Sequence, residues 1–128
     1  MIIELDYKCG VRPEQQLADA LAGRILTGQI RPGEELPTVR DLALQLQVNP
    51  RTVEQAYALL AGLGLAEAGK AGGGWRARQA AGELAEFRAD LVGRLLRRAL
   101  AQARALEVPR EAVEARFATL REEHYGAS

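Results

Sequence analysis

Closely spaced helix-start signals in the middle of the chain constrain its fold more than any other feature. Asn49 precedes Pro50, and this pair predicts a helix start, because Asn caps an unpaired backbone N–H and proline has none to lose. Thr38 is a similar cap for a shorter helix over about 39–46. Gly64 ends the later helix at about Leu63. Two helices separated by a few residues predict a helix-turn-helix.

The segment before this pair predicts a further helix and a short strand. Pro13 is tolerated in a first helical turn, and apolar residues then recur at helical spacing as far as Ile25. Gly28 supplies the stop, so the helix is expected over about 13–27. The apolar residues Ile2, Ile3 and Leu5 predict a short strand before it.

A glycine-rich stretch, 72–74, predicts a hairpin turn and also marks a change in composition. Segments 65–67 and 75–78 flank it in the manner of two β-strands. Proline and glycine punctuate the chain before this point and become sparse after it. We therefore expect a mainly α chain with a small β-hairpin: an N-terminal winged helix-turn-helix domain over 1–78 and a helical tail over 79–128.

Composition excludes several classes of function. The 128 residues carry 17 basic and 17 acidic side chains, which leaves room for a local basic patch but not for a strongly basic tail. One cysteine, Cys9, allows no internal disulfide, and one histidine, His124, cannot complete a Cys/His zinc site. Short apolar runs and an acidic start favour a cytoplasmic location. No catalytic pattern, metal site or cofactor site is expected.

The third helix carries the residues that best fit base recognition. Its apolar residues share one face, so the opposite face presents Arg51, Gln55 and Ala58 near the helix start. Arg pairs with guanine, Gln pairs with adenine, and Ala can contact a thymine methyl group. Glu54, beside this face, either accepts from a cytosine amine or repels phosphates. An ordinary solvated face is the alternative, and the helix-turn-helix context favours DNA.

Basic residues nearby favour the same function. Arg40 lies in the first turn of the second helix, where it can reach a phosphate. Lys70, Arg76 and Arg78 lie on the hairpin, where they can bind phosphate or enter the minor groove.

The tail predicts two helices of about 25 and 15 residues that cannot enclose a core alone. Their apolar stripe either packs back on the first domain or forms a dimer, and we expect a homodimer because a two-fold DNA reader needs one. The residues expected in the interface are Leu84, Phe87, Leu91, Leu95, Phe117 and Leu120. The tail shows no convergent ligand groups, so no small-molecule effector is assigned.

The run from Gly28 to Ala43 follows the pattern G-x-x-x-P-G-x-x-L-P-[ST]-x-R-x-L-A and resembles the GntR family of bacterial transcriptional regulators. It looks closest to the YtrA-like subfamily, whose short tail of two helices is used for dimerisation. The resemblance implies that Thr38 and Arg40 contact phosphate. It also implies that Asn49, Arg51, Thr52 and Gln55 lie at the recognition end, and that Lys70 and Arg76 point toward the minor groove.

These observations together predict a homodimeric transcriptional regulator, a repressor that binds a near-palindromic double-stranded DNA operator. The alternative is a winged-helix module that binds no DNA and assembles a protein complex through its C-terminal helices. The cations Arg40, Arg51 and Arg76 favour the regulator, since a protein-docking module has no need for them beside a helix N-terminus.

Overall fold

The computed structural model describes residues 2–69, 74–80, 82 and 84–126. Within these residues the chain forms five helices and one two-stranded antiparallel hairpin. The elements are α1 Pro13–Leu26, α2 Val39–Leu46, α3 Pro50–Gly62, β1 Ala66–Ala68, β2 Trp75–Ala77, α4 Ala85–Ala105 and α5 Arg110–Tyr125. The predicted fold class, a winged helix-turn-helix followed by two helices, is confirmed.

Local caps define α2 and α3 as the sequence predicts. The Thr38 hydroxyl accepts a hydrogen bond from the Asp41 N–H at 3.0 Å, and the Asn49 side-chain oxygen accepts one from the Arg51 N–H at 2.9 Å. Gln47 turns the chain between the two helices with a φ of 57°, in the left-handed region. Each cap satisfies a donor that the first helical turn leaves unpaired, so both starts are fixed locally.

The core lies between α1, α2, α3 and the base of the hairpin. Its largest fully buried side chains come from each of these elements or their flanks: Leu17, Leu21, Leu42, Val53, Tyr57, Leu60 and Leu65. The helix-helix contacts are dominated by α1 against α3 and by α2 against α3. Because α3 is held on both sides, its orientation is fixed by the core.

The hairpin is braced by a segment that the sequence does not mark as a strand. Strands β1 and β2 pair in antiparallel register, with Glu67 opposite Arg76. On the other edge of β2, the Gly33 N–H donates to the Ala77 carbonyl at 2.8 Å, and the Leu36 N–H donates to the Trp75 carbonyl at 2.8 Å. The hairpin is therefore anchored to the loop that leads into α2.

The prediction of a strand at Ile2, Ile3 and Leu5 is wrong. These residues form no strand, and the segment that follows is held by the buried side chain of Gln16. The Gln16 amide accepts from the Asp6 N–H at 2.8 Å and donates to the Asp6 carbonyl at 2.7 Å. Residues 33–36 occupy the second edge of β2, and the N-terminal backbone is bound instead by side chains of α1 and α4.

The two C-terminal helices contain no buried residue among those described. Leu84, Phe87 and Leu91 are partly buried against the core, whereas the apolar side chains farther along α4 and α5 are exposed. Within the described part of the chain, no helix combines the length and apolar character that crossing a membrane requires.

Candidate nucleic-acid interface

The exposed face of α3 is the centre of the candidate interface. Val53, Ala56, Tyr57 and Leu60 are fully buried, as the periodicity predicts, so the opposite side of the helix faces solvent. Arg51, Gln55 and Ala58 are all exposed on that side. The Arg51 guanidinium has no partner among the described residues and is available to a ligand. Thr52, at the edge of this face, is half-buried.

The beginnings of α2 and α3 present polar groups that their caps use only in part. The Asn49 side-chain oxygen is used by the cap, while its NH₂ group can still donate two hydrogen bonds. The Thr38 hydroxyl accepts within its cap and can still donate its own hydrogen. Arg40 is exposed in the first turn of α2, where the described residues offer it no partner. Such donors suit phosphate oxygens.

The arginines of the hairpin are paired with glutamates. The Arg76 guanidinium lies 3.1 Å from a carboxylate oxygen of Glu35 and donates to the Gly33 carbonyl at 3.2 Å. Arg78 lies 3.5 Å from the Glu67 carboxylate. Both pairs are exposed, so each contributes at most about 1 kcal/mol and can be exchanged for another anion. Lys70, also predicted in this region, lies outside the described residues.

Tyr57 links α3 to the hairpin and to the segment that leads into α2. Its ring lies 5.5 Å from the Trp75 ring, centroid to centroid, at an angle of 54°. Its hydroxyl donates to the Pro37 carbonyl, one residue before the α2 cap. Burial raises the pKa of Tyr57 to about 12. The sequence marks Tyr57 only as a core residue, although a tyrosine on a fully apolar face signals a buried hydroxyl that needs a partner.

A shallow groove beside α3 contains a residue that the sequence did not single out. The groove has a volume of about 370 Å³ and is lined by Gln55, Ala58 and Leu59 of α3 and by Arg12, Glu14 and Gln15 at the start of α1. Arg12 is exposed and lies 4.0 Å from the Glu14 carboxylate. It therefore adds a cation at the edge of the recognition face.

Other chemistry has little support in the described residues. No group of three or more His, Cys, Asp or Glu side chains there could hold a metal ion. Cys9 is buried beside the Gln16 amide. Together, the exposed helix start, the capped turn and the braced hairpin define a winged helix-turn-helix protein of the class that reads nucleic acid through its second helix.

The comparisons with known proteins identify the family within that class. The sequence profile of the bacterial regulatory proteins of the gntR family matches residues 13–76, which is half of the chain. The chain therefore belongs to the GntR family, as its sequence motif implied. The relatives are transcription regulators and not enzymes, which confirms the prediction that the chain is not an enzyme.

Individual relatives agree with this assignment. The transcriptional regulator YhcF of Bacillus subtilis is 35% identical over 65 residues, which cover 51% of this chain and 54%, about half, of YhcF. The transcriptional repressor YtrA of Bacillus subtilis is 28% identical over 102 residues, 80% of this chain and 78% of YtrA. The structure of YtrA from Sulfolobus acidocaldarius, a GntR-family transcription factor, is 28% identical, with a TM-score of 0.60 over 75% of this chain and 98% of that one.

Proposed function

We propose that the chain is a repressor that binds a near-palindromic DNA operator as a homodimer. The observation that carries this proposal is the exposed start of α3, where Arg51 and Gln55 lie one turn apart on a helix held by the core. Membership of the GntR family supports transcriptional regulation as the activity, and the relative YtrA is a repressor by name. We propose a cytoplasmic location for the same reason, since a regulator of this family acts on DNA.

The exposed face of α3 would recognise the bases. Arg51 can donate two parallel hydrogen bonds to guanine, and Gln55 can both donate to and accept from adenine. Ala58, farther along the same face, suits a thymine methyl group. Thr52 is half-buried and lies at the edge of this face. Each bidentate contact contributes about 1–3 kcal/mol of discrimination between bases.

Polar and basic groups at the helix starts and on the hairpin would bind the phosphates. Thr38, Arg40 and Asn49 surround the two helix starts, where backbone N–H groups and the helix dipole also favour an anion. Arg76, together with Lys70, would approach the minor groove, and Arg76 must first exchange Glu35 for a phosphate. That exchange costs little because the Glu35 pair is exposed.

The dimer follows from the exposed apolar faces of the tail. Of the thirteen exposed large apolar side chains among the described residues, nine lie in the tail, so most of the apolar surface exposed to solvent is there. Leu95, Phe117 and Leu120 are each about half-exposed, which suits an interface between copies. The other three predicted residues, Leu84, Phe87 and Leu91, pack against the chain's own core and would support the interface from behind.

Selection of bound fragments from a random double-stranded DNA library tests this function. The proposal predicts enrichment of one motif with two inverted half-sites whose centres lie about 10 base pairs, or a multiple of that, apart. Replacement of Arg51 by Ala is expected to remove one specified position from each half-site. A library that shows no enrichment would instead favour the alternative, a winged-helix module that assembles proteins. Enrichment of a single half-site would contradict the dimer.

A further inference from the structure

Helix α4 carries a second face, which holds it against the DNA-binding domain. Leu84 immediately precedes α4, and Leu84, Phe87 and Leu91 recur at three- and four-residue spacing and pack on the core. Arg94 continues the row, and Arg98 donates to the Glu4 carbonyl at 3.3 Å. The exposed side chains of Val92, Leu96 and Leu100 lie roughly 130–170° away at 100° per residue. Leu95 lies at the edge between the two faces, about 70° from the inner row, and lines a small cavity with Asp19 and Arg94. The helix therefore lies between its own domain and the surface proposed for the second copy.

The polar contact on the inner face has a defined geometry. Arg94 binds Asp19 of α1 through two parallel hydrogen bonds, Nε to Oδ2 at 2.7 Å and Nη2 to Oδ1 at 2.9 Å. The Asp19 side chain is 6% exposed and that of Arg94 is 26% exposed. The hydrogen bond to Asp19 raises the pKa of Arg94, although burial works against it. A planar guanidinium on a carboxylate permits far fewer orientations than apolar packing does.

Neighbouring side chains hold both partners in place. The Gln15 amide donates to Oδ1 of Asp19 at 3.0 Å, which fixes the carboxylate on α1. The Arg94 guanidinium carbon lies 5.8 Å from the centre of the Phe87 ring, within the range of a cation–π contact. The ion pair is therefore part of a small network and not an isolated surface contact.

This network is connected mechanically to the recognition helix. Asp19 lies on α1, which packs directly along α3, while Arg94 lies on α4, whose outer face is the proposed dimer surface. The angle between α1 and α4 therefore determines how far apart two copies of α3 lie and how they are rotated. In a dimer, that separation is matched by the spacing of the operator half-sites.

We propose that the Asp19–Arg94 ion pair is a positioning device that fixes the operator half-site spacing by fixing the angle between the tail and the DNA-binding domain. The proposal rests on the proposed function as a dimeric DNA reader. Buried ion pairs often add little stability over apolar residues of similar volume, so orientation is the role that this geometry fits.

The test removes both charges together, in the double variant Asp19→Asn and Arg94→Met. The amide introduced on α1 can still accept from Gln15, and the thioether side chain introduced on α4 can still cover the Phe87 ring, so no buried charge is left unpaired. Arg97→Met is the matched control, because it removes an arginine from an exposed position of α4 for which the described residues provide no partner. Urea unfolding of all three proteins checks that folding is retained.

The first readout is affinity for the selected operator and for versions with altered half-site spacing. Adding about five base pairs turns one half-site to the opposite side of the duplex. The parent and Arg97→Met should then lose about tenfold or more in affinity, since a single lost base contact costs about that much. The double variant should lose less than about threefold, because its two recognition helices can adjust. Equal losses in all three proteins would overturn the proposal.

The second readout needs no DNA. Spin labels at the exposed positions Ala61 of α3 and Gln102 of α4, in chains diluted with unlabelled protein, report the distance between domain and tail; the unsubstituted chain controls for labelling of Cys9. The parent and Arg97→Met should give one narrow distance distribution, and the double variant a broad one. Equal widths would overturn the positioning role. If the parent binds no DNA selectively, the proposed function fails, while the distance distribution still decides whether the ion pair sets the angle.

Discussion

The buried hydroxyl of Tyr57 makes a specific prediction about alkaline stability. The side chain is fully buried, and burial raises its pKa from 10.0 to about 12. A group whose pKa is raised by folding contributes its full stability below the unfolded pKa and loses it as the pH rises through the folded pKa. The loss should therefore begin near pH 10 and be complete slightly above pH 12.

The size of the effect follows from the shift. Two pKa units correspond to about 2.7 kcal/mol of folding free energy lost between the neutral and the fully ionised state. Tyr57→Phe removes the hydrogen bond to the Pro37 carbonyl, which should cost about 1 kcal/mol at neutral pH. The substitution also removes the ionisable hydroxyl, so the variant does not lose this part of the folding free energy at high pH. The two stability curves should therefore cross at roughly pH 10.7, above which the phenylalanine variant is the more stable.

The assay is urea unfolding of the parent and of Tyr57→Phe at equal protein concentration from pH 7 to 12. Lysines, arginines and the other tyrosines are common to both proteins, so their titration cancels in the difference between the two free energies of unfolding. A difference that changes sign in the alkaline range supports the account. A constant difference across the whole range would contradict the prediction, because the Tyr57 hydroxyl would then titrate alike in the folded and unfolded states.

Three further predictions concern DNA binding and assembly. Arg51→Ala should cost about 1–3 kcal/mol on the operator and little on random DNA, whereas Arg40→Ala should weaken binding to both equally in a titration; equal losses for Arg51→Ala would remove its base-reading role. Leu96→Asp on the outer face of α4 should give a monomer by sedimentation, because it places an unpaired carboxylate in the interface, while Leu44→Asp on α2 should remain a dimer. A monomeric parent protein at tens of micromolar would contradict the dimer. Glu35→Gln should tighten binding to any DNA by up to about fivefold and steepen the salt dependence by about one unit, since it frees the hairpin arginine; weaker binding would show that the pair positions the hairpin.

The parts of the fold that depend on neighbouring residues could be predicted from the sequence. Thr38 and Asn49 fix the starts of α2 and α3 through bonds to residues two or three positions away. The buried face of α3 follows from helical periodicity alone, and the exposed positions of Arg51 and Gln55 follow from it.

The parts that depend on distant residues could not be predicted. Residues 2–5 have the composition of a strand, but the edge of β2 that could have paired with them is occupied by 33–36. The pairing of Glu35 with Arg76 depends on that register, and the Asp19–Arg94 ion pair joins residues on helices far apart in sequence. Periodicity shows which side chains of α4 are apolar, but not which of its two faces meets its own domain.

Sequence-specific binding by a dimer is tested by the ratio of affinities for the selected operator and for a scrambled duplex of equal length and composition. Both are measured by fluorescence anisotropy at one physiological salt concentration, with a titration at high DNA concentration to count chains per duplex. A sequence-specific dimer should favour the operator by about a thousandfold or more and bind two chains per duplex. A ratio close to one, or one chain per duplex at saturation, would contradict the account.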